Sequence, residues 1–320
     1  MVKLSMIKKN FSSKVALDFH EWLQHNPLPG KHQRGSEKTI QNYASDMDRF
    51  ARWFKQSRGL ELSAETLTPD DIQDFMNYLR SVKEYAPSTV RRYFSAIRAY
   101  CLYLQKTDPR IERDLSDGVR LPQPEPATKR GLRRLERLAV KRVFNVPWKN
   151  TETARQRLIR DRAIVITFMY VGLRVDKLVN LKLSDLDFGE RSGSIRVRKG
   201  KGNRDRTAGV PAEARKELSE WLAIREQLGC AHDFVFVQLR KGYKPLGVRS
   251  VQQMVTEVGK RAGLEIEISP HILRHTALRI WRKKVGDDRI VAAQMGHSEA
   301  TMRKYDAIQQ DDVLNAAELI

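Results

Sequence analysis

Leu121-Pro122-Gln123-Pro124-Glu125-Pro126 divides this chain of 320 residues into two parts of different character. Alternating prolines favour extended backbone and remove amide donors, so the stretch suits neither a helix nor a sheet interior. Lys129, Arg130, Arg133 and Arg134 follow it closely. Length argues the same way, since 320 residues exceed one ordinary compact domain and suit two. The reading is a helical domain over 1–110, a basic, proline-rich linker over 111–135, and a second domain over 136–320.

On the N-terminal side the apolar residues recur at helical spacing. Val15, Leu17, Phe19, Trp22 and Leu23 form one face, which stops before Asn26-Pro27-Leu28-Pro29-Gly30. Ser36-Glu37 opens a second helix striped by Ile40, Tyr43, Met47, Phe50, Trp53 and Phe54. Thr68-Pro69-Asp70-Asp71 supplies a cap, a proline in the first turn and acids at the positive end of the helix dipole, ahead of Ile72, Phe75, Met76 and Leu79. Pro87-Ser88-Thr89 opens a fourth helix with Val90, Phe94, Ile97, Tyr100 and Leu104 inward and Arg91, Arg92, Arg98 and Lys106 outward. The first third therefore reads as all-α.

Beyond the linker the pattern is mixed α+β, mainly helical. Ile164, Val165, Ile166, Phe168 and Met169 are too apolar for a surface helix, which makes 160–170 a buried one running into Gly172-Leu173-Arg174. Ser194-Ile195-Arg196-Val197-Arg198 alternates as a strand, Gly200 to Asn203 turn, and 207–210 returns, giving a small antiparallel sheet with Lys201 at the hairpin tip. Helices are expected over 212–229, 250–263, 272–285 and 287–295, and around Tyr305.

The totals narrow the function. Lys and Arg number 59 against 39 Asp and Glu, a formal net charge of +20, which points to a polyanionic partner. Cys101 and Cys230 stand far apart, which suggests neither a disulfide framework nor a zinc site and fits a reducing cytoplasm. No apolar run suits a signal peptide or a membrane span. His20, His25, His32 and His232 have no spaced partners and read as surface or structural residues, so no metal site is expected.

The residues with chemistry lie late in the chain. His271 and Arg274 stand at i and i+3, on one face of a helix that Pro270 opens, where one phosphate can meet both. A guanidinium offers a planar fork of donors to two phosphate oxygens, and those oxygens gain charge during displacement at phosphorus. His275 follows Arg274 and is expected on another face, for packing or orientation. Tyr305 is the last tyrosine of the chain.

Taken in order, Gly172-Leu173-Arg174-Val175, Lys201 in a Lys-Gly-Asn turn, His271-x-x-Arg274-His275-Thr276, Met295-Gly296-His297-Ser298 and Tyr305 resemble the tyrosine recombinase family, also called phage integrases. The resemblance covers about 130–310 by motif and, more loosely, the helical first third, which looks like that family's core-binding domain. It implies a catalytic second domain and double-stranded DNA recombination sites as substrate. Tyr305 would be the nucleophile, leaving a 3′-phosphotyrosyl bond with no cofactor or metal. Arg174 and Arg274 would clamp the phosphate, His271 and His297 would hold it and help move the phenolic proton, and Lys201, preferred to Lys199, would protonate the leaving 5′-oxygen. The apolar tail Val313, Leu314, Ala317, Leu319 and Ile320 would dock on a neighbour in a homotetramer on DNA or pack within its own subunit.

Two departures from the family pattern stand out. Lys177 occupies a place the family usually gives to an acid, with Asp176 just before it, and the stretch from His297 to Tyr305 is one residue shorter than usual. The expected activity is site-specific recombination through a Holliday junction. A type IB topoisomerase, a telomere resolvase, or a catalytically inactive DNA-binding protein of the same fold are the competing readings.

Overall fold

The computed structural model describes residues 11–28, 34–123, 131–145, 149–198, 205–240 and 242–296. The chain forms two compact units, Met1–Pro126 and Ala127–Ile320.

Among its described residues the first unit is helical: α1 (Lys14–His25), α2 (Glu37–Arg58), α3 (Pro69–Ser81) and α4 (Pro87–Thr107). The caps follow the sequence signals. Ser36 Oγ accepts the Thr39 amide at 3.2 Å. Thr68 Oγ1 accepts the Asp71 amide at 3.3 Å while Asp71 accepts the Thr68 amide at 2.9 Å, a reciprocal capping box. Phe19, Ile40, Met47, Phe50, Phe54, Phe75 and Tyr93 fill one core, with the Phe50 and Phe75 rings 4.9 Å apart. Phe94 is only partly buried and packs at its margin. The chain after α4 stays on this unit: Ile111, Leu115, Val119 and Leu121 pack against the same core. Gln73 fixes it further, accepting the Arg120 amide at 2.7 Å and donating to the Arg120 carbonyl at 3.3 Å.

The second unit contains α5 (Arg134–Arg142), α6 (Glu152–Tyr170), α7 (Val175–Val179), strands β1 (Leu186–Phe188), β2 (Gly193–Val197) and β3 (Arg206–Gly209), then α8 (Ala212–Gln227), α9 (Val248–Arg261), α10 (Pro270–Val285) and α11 (Asp288–Met295). The strands form one antiparallel sheet in the order β1-β2-β3. β2 and β3 begin one residue before the stretches the alternation marks. β1 is an addition to them, only three residues long, paired through Leu186–Ile195 and Phe188–Gly193. Helix α6 is the centre: Ala163 to Val171 is buried without a break, as its apolar run requires. It packs against α8 and α10. Leu132, beyond the proline-rich stretch, is anchored here by its amide, which donates to Thr276 Oγ1 of α10 at 2.8 Å. Gly131 beside it lies so close to that helix that a Cβ would stand 2.8 Å from the Thr276 Cα. No helix among the described residues is long and apolar enough to cross a membrane.

Candidate active site

The site is built where the C-terminal ends of α6 and α11 meet. A helix leaves its last carbonyls without intrahelical partners, and here side chains supply the donors. Trp281 Nε1 donates to the Tyr170 carbonyl at 2.6 Å and Gln294 Nε2 to the Val171 carbonyl at 3.1 Å. Arg274 donates to the Gly172 carbonyl. Gly172 stands at φ +77, a left-handed conformation that favours glycine, and a Cβ there would lie 2.7 Å from the Met295 sulfur. The glycine of the Gly172-Leu173-Arg174 motif thus lets α6 end against α11.

The end of α11 is held in the same manner. Arg206 Nη1 donates to the Gln294 carbonyl at 2.7 Å, Arg274 Nη2 to the Met295 carbonyl, and Arg174 Nη2 to the Gly296 carbonyl at 3.3 Å. Three arginines from three elements therefore meet three consecutive carbonyls at the negative end of a helix. Arg274 bridges both helix ends and is buried at 8% exposure, whereas Arg174 is exposed.

This arrangement concentrates positive charge. Burial, reinforced by the neighbouring Arg174, pulls the Arg274 guanidinium down to about 10, with Asp176 working in the opposite direction. Burial and then the charges of Arg274 and Arg174 bring Arg206 down to about 9. Both shifts have one meaning: the cations are desolvated and crowd one another, so an anion between them would be favourable. Beside them opens a cavity of about 320 Å³ lined by Arg174, Asp176, His271, Arg274 and His275, among others.

The expected trio Arg174, His271 and Arg274 is thus brought together. Lys201, His297 and Tyr305 lie outside the described residues, as does the tail 313–320. His275 departs from its expected place on another face. It is one helical turn from His271, its Nε2 lies 3.1 Å from the His271 Nε2, and it lines the same cavity. The i, i+4 relation that puts it there was present in the sequence. Asp176, next to Lys177, also lines the cavity, with its carboxylate 3.6 Å from the Lys177 amine.

Arg206 is the residue that the motifs did not single out. Its signal was the strand period. It pairs with Val197 and shares a sheet face with Ala208, both buried, so a cation stands on the core side of β3. Among the described residues no three His, Cys, Asp or Glu side chains gather to hold a metal ion.

Comparison with known proteins agrees with this architecture. The model of the phage integrase family matches residues 135–310, and that of the phage integrase N-terminal SAM-like domain matches 30–108. Tyrosine recombinase XerC of Staphylococcus aureus (strain MSSA476) is 27% identical over 272 residues, covering 84% of this chain and 86% of the relative. In fold, the chain is similar to the XerH site-specific recombinase bound to palindromic difH substrate (TM-score 0.66, 21% identity, 84% of this chain and 76% of that one). It is similar also to a lambda integrase dimer bound to a COC' core site (TM-score 0.66, 19% identity, 92% and 97%). With one family model spanning more than half of its length and a second covering much of the rest, the chain belongs to the phage integrase family, the tyrosine recombinases.

Proposed function

We propose that this protein is a site-specific DNA recombinase that cuts and rejoins strands through a 3′-phosphotyrosyl intermediate. The observation that carries the reading is the convergence of Arg174 and Arg274, both donating to the turn after α11, beside a cavity that His271 and His275 also line. An anion fits there, and the net charge of +20 suits a long polyanion. Residues 1–110 serve as the core-binding domain, 111–135 as the linker, with 111–121 packed on that domain and Leu132 tied to the other, and 136–320 as the catalytic domain.

In the reaction, the two arginines hold the non-bridging oxygens of one phosphodiester, and their charge stabilises the pentacoordinate state. The Tyr305 oxygen attacks phosphorus as the bond to the 5′-oxygen breaks. The phenol, ordinarily near pKa 10, gives up its proton with the help of His271 and His297. Lys201 protonates the departing 5′-oxygen. Attack by a 5′-hydroxyl on the phosphotyrosyl bond then reseals a strand, so bond energy is stored and returned without ATP. His275 orients His271 through their contact. The solved relatives include a lambda integrase tetramer bound to a Holliday junction, and the same assembly, with the apolar tail docked on a neighbour, is our reading for this chain.

The test is to trap the covalent protein–DNA adduct on sheared genomic DNA and sequence the DNA that is held. One recurrent sequence joined through its 3′-phosphate to Tyr305 is expected, with no adduct from Tyr305→Phe despite intact DNA binding. Adducts spread over all sequences would favour a topoisomerase, and a persistent adduct in the Phe variant would refute the nucleophile.

A further inference from the structure

We infer that Arg206 is a positioning residue for strand cleavage, the fixed support of the turn at Gly296 while Arg174 and Arg274 engage the DNA phosphate. The inference rests on the recombinase reading above. It begins from the three consecutive carbonyls at the end of α11. Two of their donors, Arg174 and Arg274, line the cavity, where the guanidinium N–H groups not directed at Gly296 and Met295 can meet a phosphate. A phosphate competes with those carbonyls for the two guanidiniums, so a donor outside the cavity matters to the turn, from which the chain continues directly to His297 and on to Tyr305.

Arg206 is the donor with another place. It reaches the Gln294 carbonyl from β3, on the side of the sheet. Gly296 is fitted against it: the residue adopts φ +60, and a Cβ there would stand 2.3 Å from Arg206 Nε and 3.0 Å from its Cζ. The glycine of Gly296-His297 is therefore shaped around this guanidinium. Gln294 completes the support. Its side chain, fully buried, accepts the Gly209 amide at 2.8 Å and donates to the Gly209 carbonyl at 3.0 Å, so the end of α11 is bound to β3 through both the backbone and the side chain of one residue.

Charge gives the support a second effect. The Arg206 guanidinium repels Arg174 and Arg274, and a bound phosphate relieves that repulsion for all three. A neutral side chain would lose the hydrogen bond and this contribution together. A lysine would restore the charge and one donor, though not the planar contact with Gly296.

The test is single-turnover adduct formation on a nicked DNA carrying the recombination site, at saturating protein, with Arg206→Met and Arg206→Lys measured against wild type, alongside DNA affinity and thermal melting. Misplacing a reacting group by about 1 Å costs on the order of 10²-fold in rate. The expectation is a loss of that size in Arg206→Met, DNA affinity within about threefold of wild type, and recovery of at least a tenth of the wild-type rate in Arg206→Lys. Gly296→Ala, which drives a Cβ into the guanidinium, should lower the rate in the same way if Arg206→Met folds poorly. Wild-type rates in both Arg206→Met and Gly296→Ala, or a loss fully explained by weaker DNA binding, would overturn the assignment. Absence of any adduct from wild-type protein would instead overturn the recombinase reading, and this inference with it.

Discussion

Arginine is used in opposite ways in the ion pairs of the first unit and at the end of α11 in the second. In the first, arginines face carboxylates: Arg92 pairs with Asp46, Arg58 with Asp71, Arg52 with Asp48 at 3.3 Å, and Arg110 with Asp108 at 2.6 Å. In the second, Arg174, Arg206 and Arg274 donate to backbone carbonyls, and the ion pairs among the described residues include none to these three. A carboxylate cancels a guanidinium's charge, whereas a carbonyl holds it in place and leaves the charge available. The same side chain is thus an ion-pair brace in the first unit, as it is elsewhere in the second at Arg162–Glu217 and Arg198–Asp185, and a preorganised anion site at the end of α11.

The largest effect that would break this contrast is on chemistry. Replacing Arg274 with Ala is expected to slow adduct formation by about 10³-fold or more, since a charged donor to the transition state is lost. A rate within tenfold of wild type, read in single turnover, would mean that the carbonyl-held arginine does not reach the phosphate. Next comes Gln294→Leu, which strands the Gly209 amide and two carbonyls in the interior. At about 1–3 kcal/mol for such a buried orphan, urea unfolding should report a loss of about 3 kcal/mol. Gly172→Ala, with its left-handed φ and the Met295 sulfur in the way, should destabilise the second unit by about 2 kcal/mol in the same assay.

Smaller effects belong to the first unit. Thr68→Ala removes half of a capping box and is expected to cost about 1 kcal/mol without altering the cleavage rate of bound DNA. The Asp71 carboxylate offers a pH readout. Burial alone would raise it, but hydrogen bonds from Thr68 and the charge of Arg58 outweigh that and hold it below the ordinary aspartate range. A carboxylate depressed on folding contributes stability that is full above the unfolded value, near pH 4, and lost as pH falls through the folded one. Asp71→Asn should therefore flatten the acid limb of the melting-temperature profile below about pH 4. An unchanged limb would remove Asp71 from the account.

Much of this architecture was legible in the residues. Thr68-Pro69-Asp70-Asp71 announced its helix and its cap, though not the return bond to Asp71 that makes a capping box, and His271-x-x-Arg274 gave a shared helix face that the cavity now joins to Arg174. What escaped has physical reasons. Strand β1 spans three residues, too few for a period to register. For His275 the neighbouring Arg274 suggests another face, but the i+4 relation places it over His271. Arg206 resembled any basic residue of a hairpin until the register set it opposite Val197 on the buried face. The carbonyls that hold the arginines could not be read at all, because backbone acceptors carry no residue identity and their meeting depends on how α6, α10 and α11 pack.

The contrast between the two kinds of arginine is tested most directly by one pair of single-turnover rates on bound, nicked DNA. Arg174→Ala, carbonyl-held beside the cavity, should cleave about 10²- to 10³-fold more slowly than wild type. Arg58→Ala, paired with Asp71 in the first unit, should cleave at the wild-type rate. Equal rates for the two variants would contradict the claim that the arginines at the end of α11 are the phosphate clamp.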